Sequence, residues 1–179
     1  MAINSLEEAN IALGQAATLV ELHDNIWGRA LKARADYELG MVKRPEEFNA
    51  GQIANALNGV VTDIQDFERR ITLLTNTESF GDFRKKVLQG QNLLDVISQF
   101  QERMHTQEFY LDIYQESRQG PQHKLPDGEV YDEQKERTKL NNVKAQYKVA
   151  VAKFIEFMQS LDLGEPSELE FPKVELATR

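Results

Sequence analysis

A regular spacing of apolar residues between Ile53 and Leu74 constrains the fold more than any other feature of the sequence. Apolar side chains recur there in alternating steps of four and three residues, and the positions between them are almost all polar: Ile53, Leu57, Val60, Ile64, Phe67, Ile71 and Leu74. This spacing is typical of an α-helix that packs along one face against a neighbouring helix. The stretch therefore predicts a long helix with a narrow apolar seam.

Three further stretches carry a similar spacing, with wider apolar faces. Ser5-Leu6-Glu7-Glu8 has the capping-box form, in which the serine hydroxyl accepts a free backbone N–H and the glutamate reaches back, so a first helix is expected to begin here. Proline, glycine and short polar breaks mark the other boundaries. The predicted helices run from Ser5 to about Val42, from Pro45 to about Thr75, from Ser79 or Gly81-Asp82 to about Arg118, and from about Asp132 to Leu163-Gly164.

These elements predict an all-α fold, an elongated antiparallel up-down bundle of about four long helices. Only 5 prolines and 10 glycines interrupt the 179 residues, which favours long helices over sheet or disorder. Short connections make successive helices antiparallel, and a Pro/Gly-rich loop over 119–130 lets the last helix return beside the others. Residues 1–164 are expected to form the bundle domain, and residues 165–179 an extended acidic tail docked on the bundle or on a neighbouring subunit.

The composition excludes several classes of site and partner. The chain has no cysteine, which rules out disulfides, thiolate zinc sites, iron–sulfur clusters and cysteine nucleophiles. Its net charge of −8 argues against nucleic acid or anionic lipid as the main partner, because such binding is driven by neutralising phosphates. No window approaches the roughly 20 apolar residues of a membrane span. The first residues also lack the features of a secretory signal, so a cytoplasmic protein is expected.

No motif of a catalytic or nucleotide-binding site occurs in the sequence. Gly-x-Ser-x-Gly, Gly-x-x-x-x-Gly-Lys and Gly-x-Gly-x-x-Gly are all missing, so we expect no enzyme activity, no catalytic residue and no cofactor. Glu102-x-x-His105 has the spacing by which ferritin-like bundles present a carboxylate and an imidazole to a metal. A complete site needs a second such motif, and only one copy exists. No metal site is predicted, and a helical-bundle metalloprotein stays an alternative.

Two features could carry an interaction. His23 lies on the apolar stripe of the first helix, where a histidine is more often a buried residue with one hydrogen bond than a ligand; Asp24 or a carboxylate from another helix is its expected partner. The last helix carries no acid between Arg137 and Glu156 and offers a candidate interaction face. The residues of that face are Lys139, Lys144, Tyr147, Lys148 and Lys153.

The lysine-rich stretch of the last helix has two interpretations. It could contact nucleic acid or another acidic partner, or it could be balanced by the acidic tail at 165–179. The absence of site motifs and the surplus of apolar seam favour a non-catalytic helical interaction protein, a structural or adaptor subunit of a larger assembly with homo-oligomer and protein contacts. A nucleic-acid accessory protein is the first alternative.

Overall fold

Four α-helices make up the computed structural model, which describes residues 3–43, 46, 50–117 and 132–162. The helices are α1 (Leu6–Lys43), α2 (Ala50–Leu74), α3 (Phe80–Ser117) and α4 (Glu133–Leu161). No strand occurs within these described ranges, and the predicted all-α bundle is confirmed. The predicted boundary at Pro45, the loop at 119–130 and the tail at 165–179 lie outside the described residues.

Side-chain caps begin α1 and α3. Ser5 Oγ accepts a hydrogen bond from the backbone N–H of Glu8 at 3.1 Å, while Glu8 Oε2 accepts from the backbone N–H of Asn4 at 3.0 Å. The same reciprocal pattern begins α3, where Ser79 Oγ accepts from the N–H of Asp82 at 3.0 Å. These caps satisfy backbone donors that a first helical turn leaves free, and they explain why both helices start where the sequence predicts.

The end of α4 is set by a left-handed residue. Asp162 has a φ of 51°, and its N–H donates to the carbonyl oxygen of Gln159 at 3.2 Å. Aspartate tolerates this conformation better than most residues because its short polar side chain can bond locally. The helix therefore ends at Leu161, slightly before the Leu163-Gly164 stop that the sequence predicts.

The contacts divide the chain into two compact units. The first contains the residues up to Leu88 together with those from Met158 onward, and the second runs from Gln89 to Phe157. Both α3 and α4 therefore contribute a segment to each unit. None of the helices in the described part of the chain is long and apolar enough to span a membrane.

In the first unit α1 and α2 pack against each other in antiparallel order. Ile26 and Ala30 of α1 cluster with Val60 and Ile64 of α2. The predicted seam of α2 is confirmed from Val60 to Ile71, whose exposed fractions fall between 1% and 6%: Val60, Ile64, Phe67 and Ile71. This seam supplies the α2 side of the core, as a narrow apolar stripe at helical spacing should.

The apolar stripe of α1 is narrower than the sequence suggests. Trp27 and Leu31 are apolar and directly follow Ile26 and Ala30 in the sequence, yet they are 41% and 53% exposed. Each lies one position beyond a buried residue, which rotates its side chain by about 100° around the helix axis. The core-facing side of α1 therefore uses only one residue of each pair.

The last turn of α4 also belongs to the first unit. Met158 and Leu161 are buried there. The carbonyl oxygen of Leu161 accepts from the backbone N–H of Asn76 at 3.0 Å. Gln159 Nε2 donates to the carbonyl oxygen of Ile3 at 2.6 Å. These bonds tie the end of α4 to the α2–α3 connection and to the residues before α1.

In the second unit the segments of α3 and α4 pair in antiparallel order. Gln101 Nε2 donates to the hydroxyl of Tyr147 at 3.2 Å, and Lys144 Nζ lies 3.5 Å from Glu108 Oε1. Apolar side chains such as Phe154 are fully buried between charged flanks. Several other apolar side chains of this unit stay exposed by 41% to 56%: Val96, Phe109, Ile113 and Val149.

Candidate functional site

A buried histidine joins three helices of the first unit. His23 is only 8% exposed, and its Nε2 lies 2.7 Å from Oε1 of Glu68 on α2. On the other side of the ring, Nη2 of Arg84 on α3 lies 3.3 Å from Nδ1. Both ring nitrogens therefore have a partner, and the two partners come from different helices.

The partners of His23 select one tautomer of its ring. A guanidinium only donates, so Nδ1 must accept from Arg84 and carries no hydrogen. Nε2 then carries the hydrogen and donates it to the Glu68 carboxylate at 2.7 Å. The Nε2–H tautomer satisfies both the Glu68 contact and the Arg84 contact at once.

Two aromatic rings of the core lie beside this polar contact. The Phe80 ring stacks on the His23 ring with centroids 4.0 Å apart and planes at 24°, and the Phe67 ring lies at 6.0 Å. The Arg84 guanidinium carbon is 5.6 Å from the Phe80 ring centroid. Stacking on flat faces suits both an imidazole and a guanidinium, because each presents a planar surface to the ring.

Asp24 completes the cluster at its exposed edge. Arg84 donates to both carboxylate oxygens of Asp24, at 3.0 Å from Nη1 and 2.5 Å from Nη2. These hydrogen bonds lower the pKa of the Asp24 carboxyl below its usual value. The same bonds raise the pKa of the Arg84 guanidinium. Both shifts favour the charged pair, in the direction expected for a two-pronged arginine–carboxylate contact.

This geometry differs from that of a catalytic carboxylate–histidine pair. In a catalytic carboxylate–histidine pair, one ring nitrogen bonds the acid and the other faces a nucleophile or substrate. Here the second nitrogen of His23 faces the Arg84 guanidinium, which can neither receive its proton nor act as a nucleophile. The cluster therefore ties α1, α2 and α3 together. Glu68 and Arg84 carry no motif, so the sequence does not single them out.

The Glu102 and His105 pair stands alone on α3. Both side chains are exposed. Within 3–43, 50–117 and 132–162, no group of three or more histidine and carboxylate side chains comes together to hold a metal ion. Among the described residues, therefore, the two are not joined by the additional ligands that a bundle metal site requires.

The lysines of α4 do not share one face. Lys144 and Lys148 are one turn apart, but Lys153 follows Lys148 by five residues, which places it about 140° further around the helix axis. Lys139 lies on the same flank as Lys153, because fourteen residues correspond to nearly four full turns. The candidate interaction face thus divides into a flank of Lys144 and Lys148 and a flank of Lys139 and Lys153.

Three of these five residues have partners inside the protein. Lys144 pairs with Glu108, and Tyr147 accepts from Gln101. Lys139 Nζ lies 3.2 Å from Oε1 of Glu136, a carboxylate whose side chain is only 6% exposed. Lys139 and Lys144 therefore contact carboxylates of this chain, so Lys148 and Lys153 are the cations of the stretch that are more available to a partner.

An apolar groove runs between α3 and α4 on the flank of Lys153. It has a volume of about 440 Å³. Among the described residues Leu93, Val96 and Phe100 line it from α3, and Ala145, Gln146, Val149, Ala150 and Lys153 line it from α4. We call this the α3–α4 groove. The sequence alone did not point to this groove. Val96 and Val149 are apolar residues that each precede a less exposed apolar residue, Ile97 and Ala150, and that adjacency is its signal.

The predicted site residues fall into two separate groups. His23 belongs to a closed cluster of the first unit, and the lysine-rich stretch borders an open groove of the second. The chain matches no protein-family model, no curated protein and no solved structure.

Proposed function

We propose that this chain is a non-catalytic helical interaction protein, a structural or adaptor subunit of a larger assembly. The α3–α4 groove is its binding surface, and protein partners, including further copies of the chain, are its ligands. The observation that carries the proposal is the exposure of two valines that line this groove, 41% for Val96 and 54% for Val149.

A partner that covers the groove gains favourable free energy because its binding buries exposed apolar side chains. Fully burying one valine, leucine or phenylalanine side chain contributes about 1.5–3 kcal/mol. Leu93 and Phe100 are half-buried and lie next to the two exposed valines. A partner that places apolar side chains over these four residues would gain several such contributions in one compact patch, which is how interface hot spots work.

The arrangement of charges favours a protein over a nucleic acid as the partner. A phosphate backbone is bound by cations that line up along one track. The lysines of α4 divide between two flanks, and Lys139 and Lys144 already pair with carboxylates of this chain. An apolar groove with a cation at its edge suits a polypeptide that combines apolar and acidic side chains.

The experiment that tests the proposal compares co-purification from the native host by three tagged forms of the full chain. These are the wild type, Val149→Asp in the groove, and Val61→Asp on the exposed side of α2. Val61 is 37% exposed and does not line the groove, so the same chemical change there controls for charge and helix effects. We expect wild type and Val61→Asp to retain the same stoichiometric partner and Val149→Asp to lose it. Equal recovery by all three forms would contradict the proposed function.

A further inference from the structure

The α3–α4 groove has a specific charge pattern. Lys153 is the charged residue among the described residues that line it. Asp95 is the acid of α3 between Leu93 and Phe100, and its position is about 100° or more around the helix axis from each lining residue of α3. The groove therefore combines an apolar floor with a positive edge. A segment that alternates apolar and acidic side chains would be complementary to the groove in both polarity and charge.

The C-terminal segment 163–179 of this chain has that composition. It carries four glutamates against two cations, Glu165, Glu168, Glu170 and Glu175 against Lys173 and Arg179. Leu169 and Phe171 flank Glu170, so in an extended chain the two apolar side chains share one face and the carboxylate lies on the other. Pro172 favours an extended conformation at Phe171, because the residue before proline is excluded from the helical region.

The lengths of groove and segment also agree. Leu93 to Phe100 spans about 10 Å of helix at 1.5 Å per residue. An extended chain covers that distance in three to four residues at about 3.3 Å each. Glu168 to Phe171 therefore fits along the groove with two apolar side chains directed into it.

We propose that the α3–α4 groove of one copy binds residues 163–179 of a second copy, with Leu169 and Phe171 on the apolar floor and the glutamates toward Lys153. This inference rests on the proposed function, because it names one of the partners of the same groove. Reciprocal binding of two tails into two grooves gives a closed dimer, which is the commonest symmetry of soluble oligomers.

Light scattering coupled to gel filtration tests the inference on the full chain. The wild type and Val61→Asp should have a mass about twice the 20.5 kDa of one chain. Val149→Asp in the groove and Phe171→Asp in the tail should each weaken the dimer at least about tenfold. Circular dichroism of each variant checks that the helices remain.

Mixing the two damaged variants is the decisive measurement. Val149→Asp retains an intact tail and Phe171→Asp retains an intact groove, so their equimolar mixture can form one native contact. We expect the mixture to have a higher average mass than either variant alone.

Two outcomes overturn the inference. The first is a wild type that stays monomeric at every concentration tested, and the second is a mixture that behaves like its separate components. If either outcome occurs while Val149→Asp still loses a different partner protein in the co-purification, the second-copy inference fails and the proposed function stands.

Discussion

His23 and Glu68 join two helices across 45 residues of sequence, with Nε2 of the imidazole 2.7 Å from Oε1 of the carboxylate. The bond is partly buried, and Arg84 of α3 lies 3.3 Å from the opposite nitrogen of the same ring. A polar contact of this kind aligns helices along their axes, whereas apolar contacts tolerate sliding, because a hydrogen bond is lost within about half an ångström. His23 therefore sets how α1, α2 and α3 are aligned.

Replacing His23 by alanine should destabilise the protein by about 2 kcal/mol, because the change removes a stacked ring and leaves Glu68 without its hydrogen-bond donor. Urea unfolding followed by circular dichroism measures the free energy of unfolding. His105→Ala is the matched control, since His105 is an exposed histidine on a helix and its loss should cost no more than about 0.5 kcal/mol. Equal losses from the two substitutions would contradict the structural role of His23.

In the neutral ring of His23, the hydrogen should lie on Nε2 rather than on Nδ1. Arg84 presents a donor to Nδ1, and Glu68 presents an acceptor to Nε2, so only this tautomer satisfies both contacts. Long-range nitrogen–proton correlation spectra of the imidazole ring distinguish the two tautomers directly. A hydrogen found on Nδ1 would show that the Arg84 contact is not formed in solution.

The Asp24–Arg84 pair should stabilise the protein in a pH-dependent way. Its hydrogen bonds lower the pKa of Asp24 from the ordinary value of 3.8, so the folded state binds a proton less readily than the unfolded state. The stabilisation is fully present above that ordinary value and is lost as the pH falls through the lowered pKa of the folded state. Because the Asp24 side chain is 55% exposed, solvent screening limits the contribution to about 0.5 kcal/mol.

A double-mutant cycle checks this pair. The difference in unfolding free energy between wild type and Asp24→Asn should shrink as the pH is lowered from 6 toward 3. It should also shrink in high salt, because the carboxylate is exposed. In an Arg84→Ala background, the Asp24→Asn change should lose its dependence on pH. A dependence that persists without Arg84 would assign the effect to another partner.

Much of the fold follows from local sequence features. The seam from Val60 to Ile71 repeats at helical spacing, and the caps at Ser5 and Ser79 depend on residues within four positions of each other. Such short-range patterns are visible in one sequence because they involve one helix at a time. The four helices and the burial of their main stripes could therefore be predicted.

The candidate sites depend on contacts that no local pattern records. The burial of His23 follows from its position on a stripe, but Arg84 approaches it from 61 residues away. Val96 and Val149 border the open α3–α4 groove because of how α3 and α4 approach each other, and both lie beside the predicted stripe rather than on it. The lysines of α4 lie on two flanks because of their angular positions around the helix axis, which the number of lysines in the stretch does not reveal.

Alanine substitution of two phenylalanines of α3 should lower the free energy of unfolding by very different amounts, because one is buried and the other exposed. Phe83 is fully buried, whereas Phe109 is 56% exposed. Phe83→Ala should lower the free energy of unfolding by about 4 kcal/mol, since it removes a large side chain from a packed core and leaves a cavity. Phe109→Ala should cost less than about 1 kcal/mol. Urea titration of both variants gives the comparison, and a large cost at Phe109 would show that a partner or another part of the chain covers it in solution.

The two flanks of α4 should respond differently to charge reversal. Lys153 lines the α3–α4 groove, while Lys148 lies about 140° away around the axis, on the same flank as Lys144. If the groove binds the acidic segment 163–179, Lys153→Glu should raise the dimer dissociation constant severalfold, and Lys148→Glu should leave it within about twofold of wild type. Sedimentation of both variants at low and moderate salt measures the effect, which should weaken as salt screens the charges.

A nucleic-acid role predicts the opposite order of effects. Lys144→Glu and Lys148→Glu together should then abolish a steeply salt-dependent affinity for DNA or RNA, while Lys153→Glu should have the smaller effect.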